Sequence, residues 1–232
     1  MLSHHPLLRW LIGYEIERKR DLLRAPKGAL KDFLSVPFPN VNALISQTKI
    51  LAVDFETTGL DAVQDRLLSV GFVELNQQQI VLDSCYHQII NTRQKLDADN
   101  VVIHQITDQQ QQAGQSLKTV VEALLAALAG KVMLVHFARI EREFLQQACL
   151  ELYGVAPSFP MIDTLAIAKR RLDKKDVAYD PSELRLGALR AKKGLPQYFA
   201  HNALNDAIAT AELFLAQTSY LSSKAQLKQV LL

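Results

Sequence analysis

The sequence predicts an α/β fold built on one mixed, helix-covered sheet, and three observations carry that prediction. An apolar run, Ile50 to Val53, opens the pattern and ends in alternating acids. Two strand-like segments, Arg66 to Leu75 and Gln79 to Ile90, follow with only a turn between them, and so short a connection makes neighbouring strands antiparallel. From residue 116 onward, helix-period and strand-period segments alternate, an order that lays helices over a sheet.

Each element has a local cause. Ile50-Leu51-Ala52-Val53 follows the polar pair Thr48-Lys49 and is short, apolar and β-branched at both ends, which suits a buried strand. Asn76-Gln77-Gln78 supplies the hairpin turn. Ser116 is a natural cap for a helix expected over Leu117 to Ala129, closed by Gly130 just past its end. Lys131 to Val135 reads as a buried strand. Ala138 to Tyr153 is expected to be a helix with Ile140, Phe144, Leu145 and Ala148 inward, stopped at Gly154. Two more helices are expected near Ile162 to Leu172 and Ser182 to Lys193, and Pro196 separates them from a last one, about Ala203 to Tyr220. The Gln-rich segment Gln109 to Gln115 reads as a loop, and no internal repeat is visible.

Composition narrows the class. The chain has 232 residues and 49% hydrophobic content, enough for one domain with an extension. Residues 1–46 read as a helical, partly basic extension, 47–220 as the main domain and 221–232 as a tail. In the extension, Leu7, Leu8, Leu11, Ile12 and Ile16 keep helical spacing until Pro26 and Gly28, and a second short helix is expected over Ala29 to Leu34. Its cluster Arg18, Lys19, Arg20, Arg24 and Lys27 suits a solvated helix face, with a phosphate-contacting arm as the other reading. Trp10 and Tyr14 are expected to pack on the main domain. No stretch is long and apolar enough to span a membrane. The N-terminal apolar run is broken by Arg9, so a secretory leader is not expected. With Cys85 and Cys149 the only cysteines, neither a disulfide framework nor a zinc cluster is available, and a reducing cytoplasm is the expected compartment. The net charge of +2 does not by itself announce a nucleic-acid binder.

The chemistry is concentrated in acids. Asp54 and Glu56 are two apart on a strand, so both point to one face, about 6.6 Å apart along the backbone. Like charges on an apolar strand are costly unless a cation compensates them, and oxygen ligands of this kind suit hard divalent ions. The alternative is a strand end emerging into solvent. Glu141 falls in the first turn of its helix, where the dipole favours an anion. Asp163-Thr164 can start a helix as a capping pair. Asp206 lies among Ala203, Ala207, Ile208, Ala211 and Phe214, where an unpaired carboxylate is expensive. His201 precedes it by five residues, at or just before the helix start.

These segments together resemble a known family. Asp54-Phe55-Glu56-Thr57-Thr58-Gly59 is similar to Asp-x-Glu-Thr-x-Gly on a first strand. His136-Phe137-Ala138-Arg139-Ile140-Glu141 resembles a strand-to-helix turn with a third acid, and His201 to Ala207 resembles His-x-Ala-x-x-Asp-Ala on a late helix. This is the order of the DEDDh 3′–5′ exonucleases, relatives of the epsilon proofreading subunit of bacterial DNA polymerase III. Val102 to Thr107 and Asp163-Thr164-Leu165 add secondary matches, with Gln105 where the family has Gly. The resemblance covers about residues 49 to 217.

The resemblance implies a ribonuclease H-like sheet and two divalent ions, Mg²⁺ or Mn²⁺. It implies that Asp54 bridges them, that Glu56 and Asp206 complete the first ion's shell, and that Glu141 serves the second. His201 would be the general base. Thr57, Thr58, Gly59, His104 and Phe137 would contact substrate. The implied reaction releases nucleoside 5′-monophosphates from the 3′ end of single-stranded nucleic acid, DNA favoured over RNA, in repair or proofreading. Two departures stand out: Glu141 replaces the usual third Asp, and Phe137 replaces Asn. Two other readings use the same residues: an exoribonuclease for short RNA or tRNA ends, and a non-catalytic module that binds nucleic acid or a polymerase. The tail Gln226 to Leu232 loosely resembles a sliding-clamp peptide, with a terminal helix turn as the plainer alternative.

Overall fold

The structure is a computed structural model and describes residues 6–92, 106–176, 178–198 and 202–232, with side chains from residue 13 onward except at residue 108. Five strands form one sheet: β1 (Ile50–Thr57), β2 (Leu67–Asn76), β3 (Gln79–Ile89), β4 (Val132–Val135) and β5 (Met161–Asp163). Their spatial order is β3-β2-β1-β4-β5. β1 and β3 run antiparallel to β2, while β4 and β5 run parallel to β1. The expected mixed sheet is present. Gln77 and Gln78 both take positive φ (49° and 61°), the geometry of a two-residue turn whose twist matches its strands.

The helices are α1 (Pro6–Arg24), α2 (Ala29–Ser35), α3 (Asp108–Gln112), α4 (Leu117–Leu128), α5 (Arg139–Tyr153), α6 (Thr164–Lys174), α7 (Leu186–Lys192) and α8 (Ala203–Thr218). Several expected boundaries shift. The Gln-rich stretch is partly helical, because Thr107 and Gln110 cap α3 reciprocally. The segment from Met161 is a three-residue strand before its helix. The expected helix from Ser182 divides into a 3-10 turn, Pro181–Leu184, and α7.

Strand alternation divides the core in two. Leu51, Val53 and Phe55 share one cluster with Leu124 of α4, Phe144 of α5 and Leu34 of α2. Ile50 and Ala52 share the opposite cluster with Ala211 and Phe214 of α8. Asp54 and Glu56 continue the Ile50–Ala52 row and so face α8. Burying a side chain such as Phe214 contributes roughly 1.5–3 kcal/mol, which seats α8 on that face.

The N-terminal helices join the first cluster. Phe33 of α2 packs on Phe159 at a centroid separation of 5.6 Å, and Tyr14 packs against the same cluster. Of the basic residues, Arg18 is buried, pairs with Glu15 and donates to the Leu34 carbonyl; that corrects its placing on a solvated face. Lys19, Arg24 and Lys27 are exposed. The C-terminal tail is docked as well: Leu227 is fully buried, Leu231 pairs with Ile162, and Leu232 N–H donates to the Met161 carbonyl at 3.0 Å. Leu227, Val230 and Leu231 of the clamp-like stretch are therefore engaged in the fold, while the Leu232 side chain is exposed. Cys85 and Cys149 are free thiols, and no helix among the described residues is long and apolar enough to cross a membrane.

Candidate active site

Asp54 and Glu56 meet Asp206 at the sheet–helix interface, and one ligand oxygen from each lies within 4.8 Å of the others. The strand supplies its pair by alternation. The helix supplies Asp206 through a close approach that Gly71 permits. Gly71 of β2 is the register partner of Asp54, and a Cβ there would stand 2.2 Å from Ala203 C and Leu204 N, at the start of α8. The helix backbone thus rests on a gap in the sheet beside Asp54. Asn202 caps that helix end, its side-chain oxygen accepting from Asn205 N–H at 3.2 Å, and Asp206 N–H donates to the Asn202 carbonyl at 2.9 Å. Gly71 carries no motif in the sequence, because its role depends on a helix some 130 residues later.

The electrostatics are those of crowded acids. Burial, then the negative charges of Glu141, Asp206 and Glu56, hold the Asp54 carboxyl well above the usual range. Glu141 lies outside the close group of three. It is 3% exposed, and its Oε2 has no hydrogen-bond partner among the described residues. Burial foremost, with the charges of Asp163 and Glu56, pushes its carboxyl up to about 8, against a partial offset from a backbone hydrogen bond. A buried carboxylate with one oxygen unpaired is expensive. A bound cation would relieve it.

Asp163 positions that acid. Its Oδ1 accepts from Phe137 N–H at 3.0 Å and Leu165 N–H at 2.9 Å, and its Oδ2 accepts from Ala138 N–H at 3.1 Å. One carboxylate therefore caps α6, as expected, and also pins the turn into α5 that carries Glu141. Phe137 in that turn has φ 73°, an uncommon conformation for a bulky residue. The two charge-assisted bonds to the Phe137 and Ala138 amides compensate it. His136 Nδ1 lies 2.8 Å from Thr164 Oγ1, which donates to the Val135 carbonyl; burial lowers the imidazole's pKa. Asp163's grip on residues 137–138 was not legible in the sequence, where only its capping was.

The other expected residues are placed as follows. Phe137 is 44% exposed, at the mouth of the Glu141 turn. Thr57 Oγ1 donates to the Gly59 carbonyl at 2.6 Å, and Thr58 Oγ1 donates to Asp65 at 3.1 Å. Asp65 also accepts from Asp61 N–H, closing the loop that follows the acids. His201 and His104 lie outside the described residues.

Mixed sheet, capped helices and three convergent carboxylates make a site whose oxygen ligands could hold a metal ion. A family model described as Exonuclease (RNase_T) matches residues 51–214, and the chain belongs to that family. It is 31% identical over 165 residues to the PolC-type DNA polymerase III of Thermotoga petrophila, covering 71% of this chain and 11% of that protein. It is 28% identical over 181 residues to the epsilon subunit of DNA polymerase III of Treponema pallidum, covering 78% and 81%. The chain thus spans about a tenth of its PolC-type relatives. Among solved structures, it resembles the nuclease domain of 3′hExo, described as a DEDDh family member bound to rAMP (TM-score 0.62, 16% identity, 76% of this chain and 94% of that one). It also resembles E. coli exonuclease I in complex with single-stranded DNA (TM-score 0.60, 16% identity, 75% and 41%).

Proposed function

We propose that this chain is a metal-dependent 3′–5′ exonuclease that removes nucleoside 5′-monophosphates from the 3′ end of single-stranded DNA. The observation that carries this reading is the close group Asp54, Glu56 and Asp206, with Glu141 buried beside it. The donor set fits two divalent ions, Mg²⁺ or Mn²⁺. Every donor is a carboxylate oxygen, and the acids repel one another without a compensating charge. Asp54 would be shared between the ions, Glu56 and Asp206 would complete one, and Glu141 would hold the other. When bound, such a pair stabilises the attacking and leaving oxygens of an in-line displacement on phosphorus.

The chain's own residues do the rest. His201 immediately precedes the cap Asn202 in sequence, and an imidazole of ordinary pKa near ~6.5 can take the proton of the attacking water. We assign the exposed ring of Phe137 and the turn Thr57 to Gly59 to the substrate's 3′-terminal nucleotide, and give His104 the same role from its sequence motif alone. DNA is favoured because the relatives in sequence are named as DNA polymerases or their subunits, and because the exonuclease I structure holds single-stranded DNA. The same relatives support a place beside a polymerase; we read the role as proofreading or repair and the compartment as the cytoplasm.

The test is release of mononucleotides from matched single-stranded DNA and RNA oligomers with Mg²⁺, Mn²⁺ or chelator. The reading expects metal-dependent release from DNA, slower release from RNA, and none with chelator. Faster hydrolysis of RNA would move the substrate to RNA. No release from either polymer would overturn the enzyme assignment.

A further inference from the structure

Helices α6, α7 and α8 enclose a cavity of about 250 Å³ that the acidic site does not use. α6 contributes Ala168, Arg171 and Leu172, with Lys175 at its C-cap, the i, i+3, i+4 and i+7 positions of one helix face. Leu189 of α7 and Leu213 of α8 complete an aliphatic floor with Ala168 and Leu172. Lys192 and Lys193, at the end of α7, complete a cationic rim with Arg171 and Lys175. Gln217 of α8, also buried, lines the cavity as a neutral polar group, so the lining divides into a mostly aliphatic interior and a cationic rim. Leu213 lies seven residues along α8 from Asp206, about 10 Å at the helical rise.

The rim charges are only partly used. Arg171 donates to the Gln217 carbonyl and lies over the Tyr220 ring at 4.2 Å, which fixes its place. Lys192 pairs with Glu183. Lys175 and Lys193 are exposed and form no ion pair among the described residues.

We propose that this cavity is a docking site for an acidic peptide segment that inserts one large apolar side chain between the three helices. Small-molecule pockets run about 300–1,000 Å³, so this smaller cavity suits a single anchor of the kind that dominates peptide interfaces. The floor is aliphatic and offers no aromatic platform, whereas a nucleic-acid strand gains its sequence-tolerant affinity by stacking bases on rings. The ring of Tyr220 is already covered by Arg171. Carboxylates flanking the anchor would meet Lys175 and Lys193 and speed association. A partner held here sits two helical turns from Asp206 and leaves the acidic site clear.

The experiment is fluorescence anisotropy with a labelled synthetic peptide of five aspartates followed by Leu-Phe. It is compared with a peptide ending in Ser-Ser and with one whose aspartates are asparagine. The proteins are the full chain, the surface variant Lys175→Glu/Lys193→Glu, and the cavity-filling variant Ala168→Leu, each checked by thermal melt. The proposal expects at least tenfold weaker binding for either altered peptide and for the charge-reversed protein. It also expects unchanged hydrolysis and binding of a single-stranded DNA oligomer by that protein. Should Ala168→Leu fail to fold, the charge-reversed protein and the Ser-Ser peptide still decide. Absence of binding by the unaltered chain, or equal binding by all peptides, overturns the proposal. So does a charge-reversed protein that loses affinity for the oligomer while keeping the peptide, because the face would then belong to nucleic acid.

Discussion

The two halves of the acidic site are held in different ways. Asp54, Glu56 and Asp206 are fixed by regular structure: a strand register and a helix seated directly on Gly71. Glu141 is fixed by a turn, through a residue of positive φ that Asp163 holds with two backbone contacts. The first half is crowded and partly open. The second is sealed and lacks a hydrogen-bond partner at Oε2 among the described residues. Three carboxylates are thus placed by strand register and helix seating, whereas Glu141, which stands where the family usually has Asp, depends on a turn pinned by one other acid.

The largest expected effect comes from breaking the rigid half. Asp54→Asn or Asp206→Asn should lower the rate of mononucleotide release on the order of 10³-fold, since charge stabilisation by bound ions is worth several kcal/mol. Circular dichroism should show the fold retained, because loss of one repelling charge relieves Asp54's neighbours. A variant with near-normal rate would remove that carboxylate from the reaction.

Next comes Gly71→Val. A Cβ 2.2 Å from Ala203 C cannot be accommodated without moving α8, and displacement of a reacting group by about 1 Å can cost roughly 10²-fold. The rate should fall by about that factor while Asp54 and Glu56 stay in place on β1. If Gly71→Val kept full rate and full divalent-ion affinity, the helix would not depend on the gap.

The sealed half gives a pH signature. The Glu141 carboxyl is raised from 4.5 to about 8 in the folded chain, so the folded state holds a proton that the unfolded state releases earlier. Stability from this group is full below pH 4.5 and is lost as pH rises through about 8. Asp54 is raised too and adds the same sign. In chelator, thermal melts between pH 5 and 9 should show falling stability, on the order of 3 kcal/mol across the range. Glu141→Gln should flatten that slope, and Mn²⁺ should restore the wild-type chain at high pH. An unchanged slope in Glu141→Gln would place the ionisation elsewhere.

The smallest effect is expected from Glu141→Asp. Mg²⁺ demands near-ideal octahedral geometry, so shortening the side chain by one methylene should change the ratio of Mg²⁺-supported to Mn²⁺-supported rates, by a few-fold, without abolishing turnover. Equal rates before and after in both metals would show that the extra methylene is neutral.

Much of this was legible in the sequence. The alternation from Ile50 to Glu56 placed two acids on one face, and the helix from Ala203 carried Asp206 in an apolar setting, because both signals are periodic and local. β5 was not legible, since three residues carry no period. α3 was hidden because its cause is a reciprocal cap between Thr107 and Gln110 within a polar run. Gly71 and the second role of Asp163 were invisible for a different reason. Each acts on a segment distant in sequence, and only the packed fold shows what a Cβ would strike or which amides a carboxylate reaches.

Whether these carboxylates form a divalent-ion site can be read by calorimetric titration of Mn²⁺ at pH 7. Run in two buffers of different ionisation enthalpy, the titration should show binding coupled to proton release, because raised carboxyls must deprotonate to coordinate. Asp54→Asn should lose that binding. Failure of the unaltered chain to bind Mn²⁺, or binding undiminished in Asp54→Asn, would contradict the account.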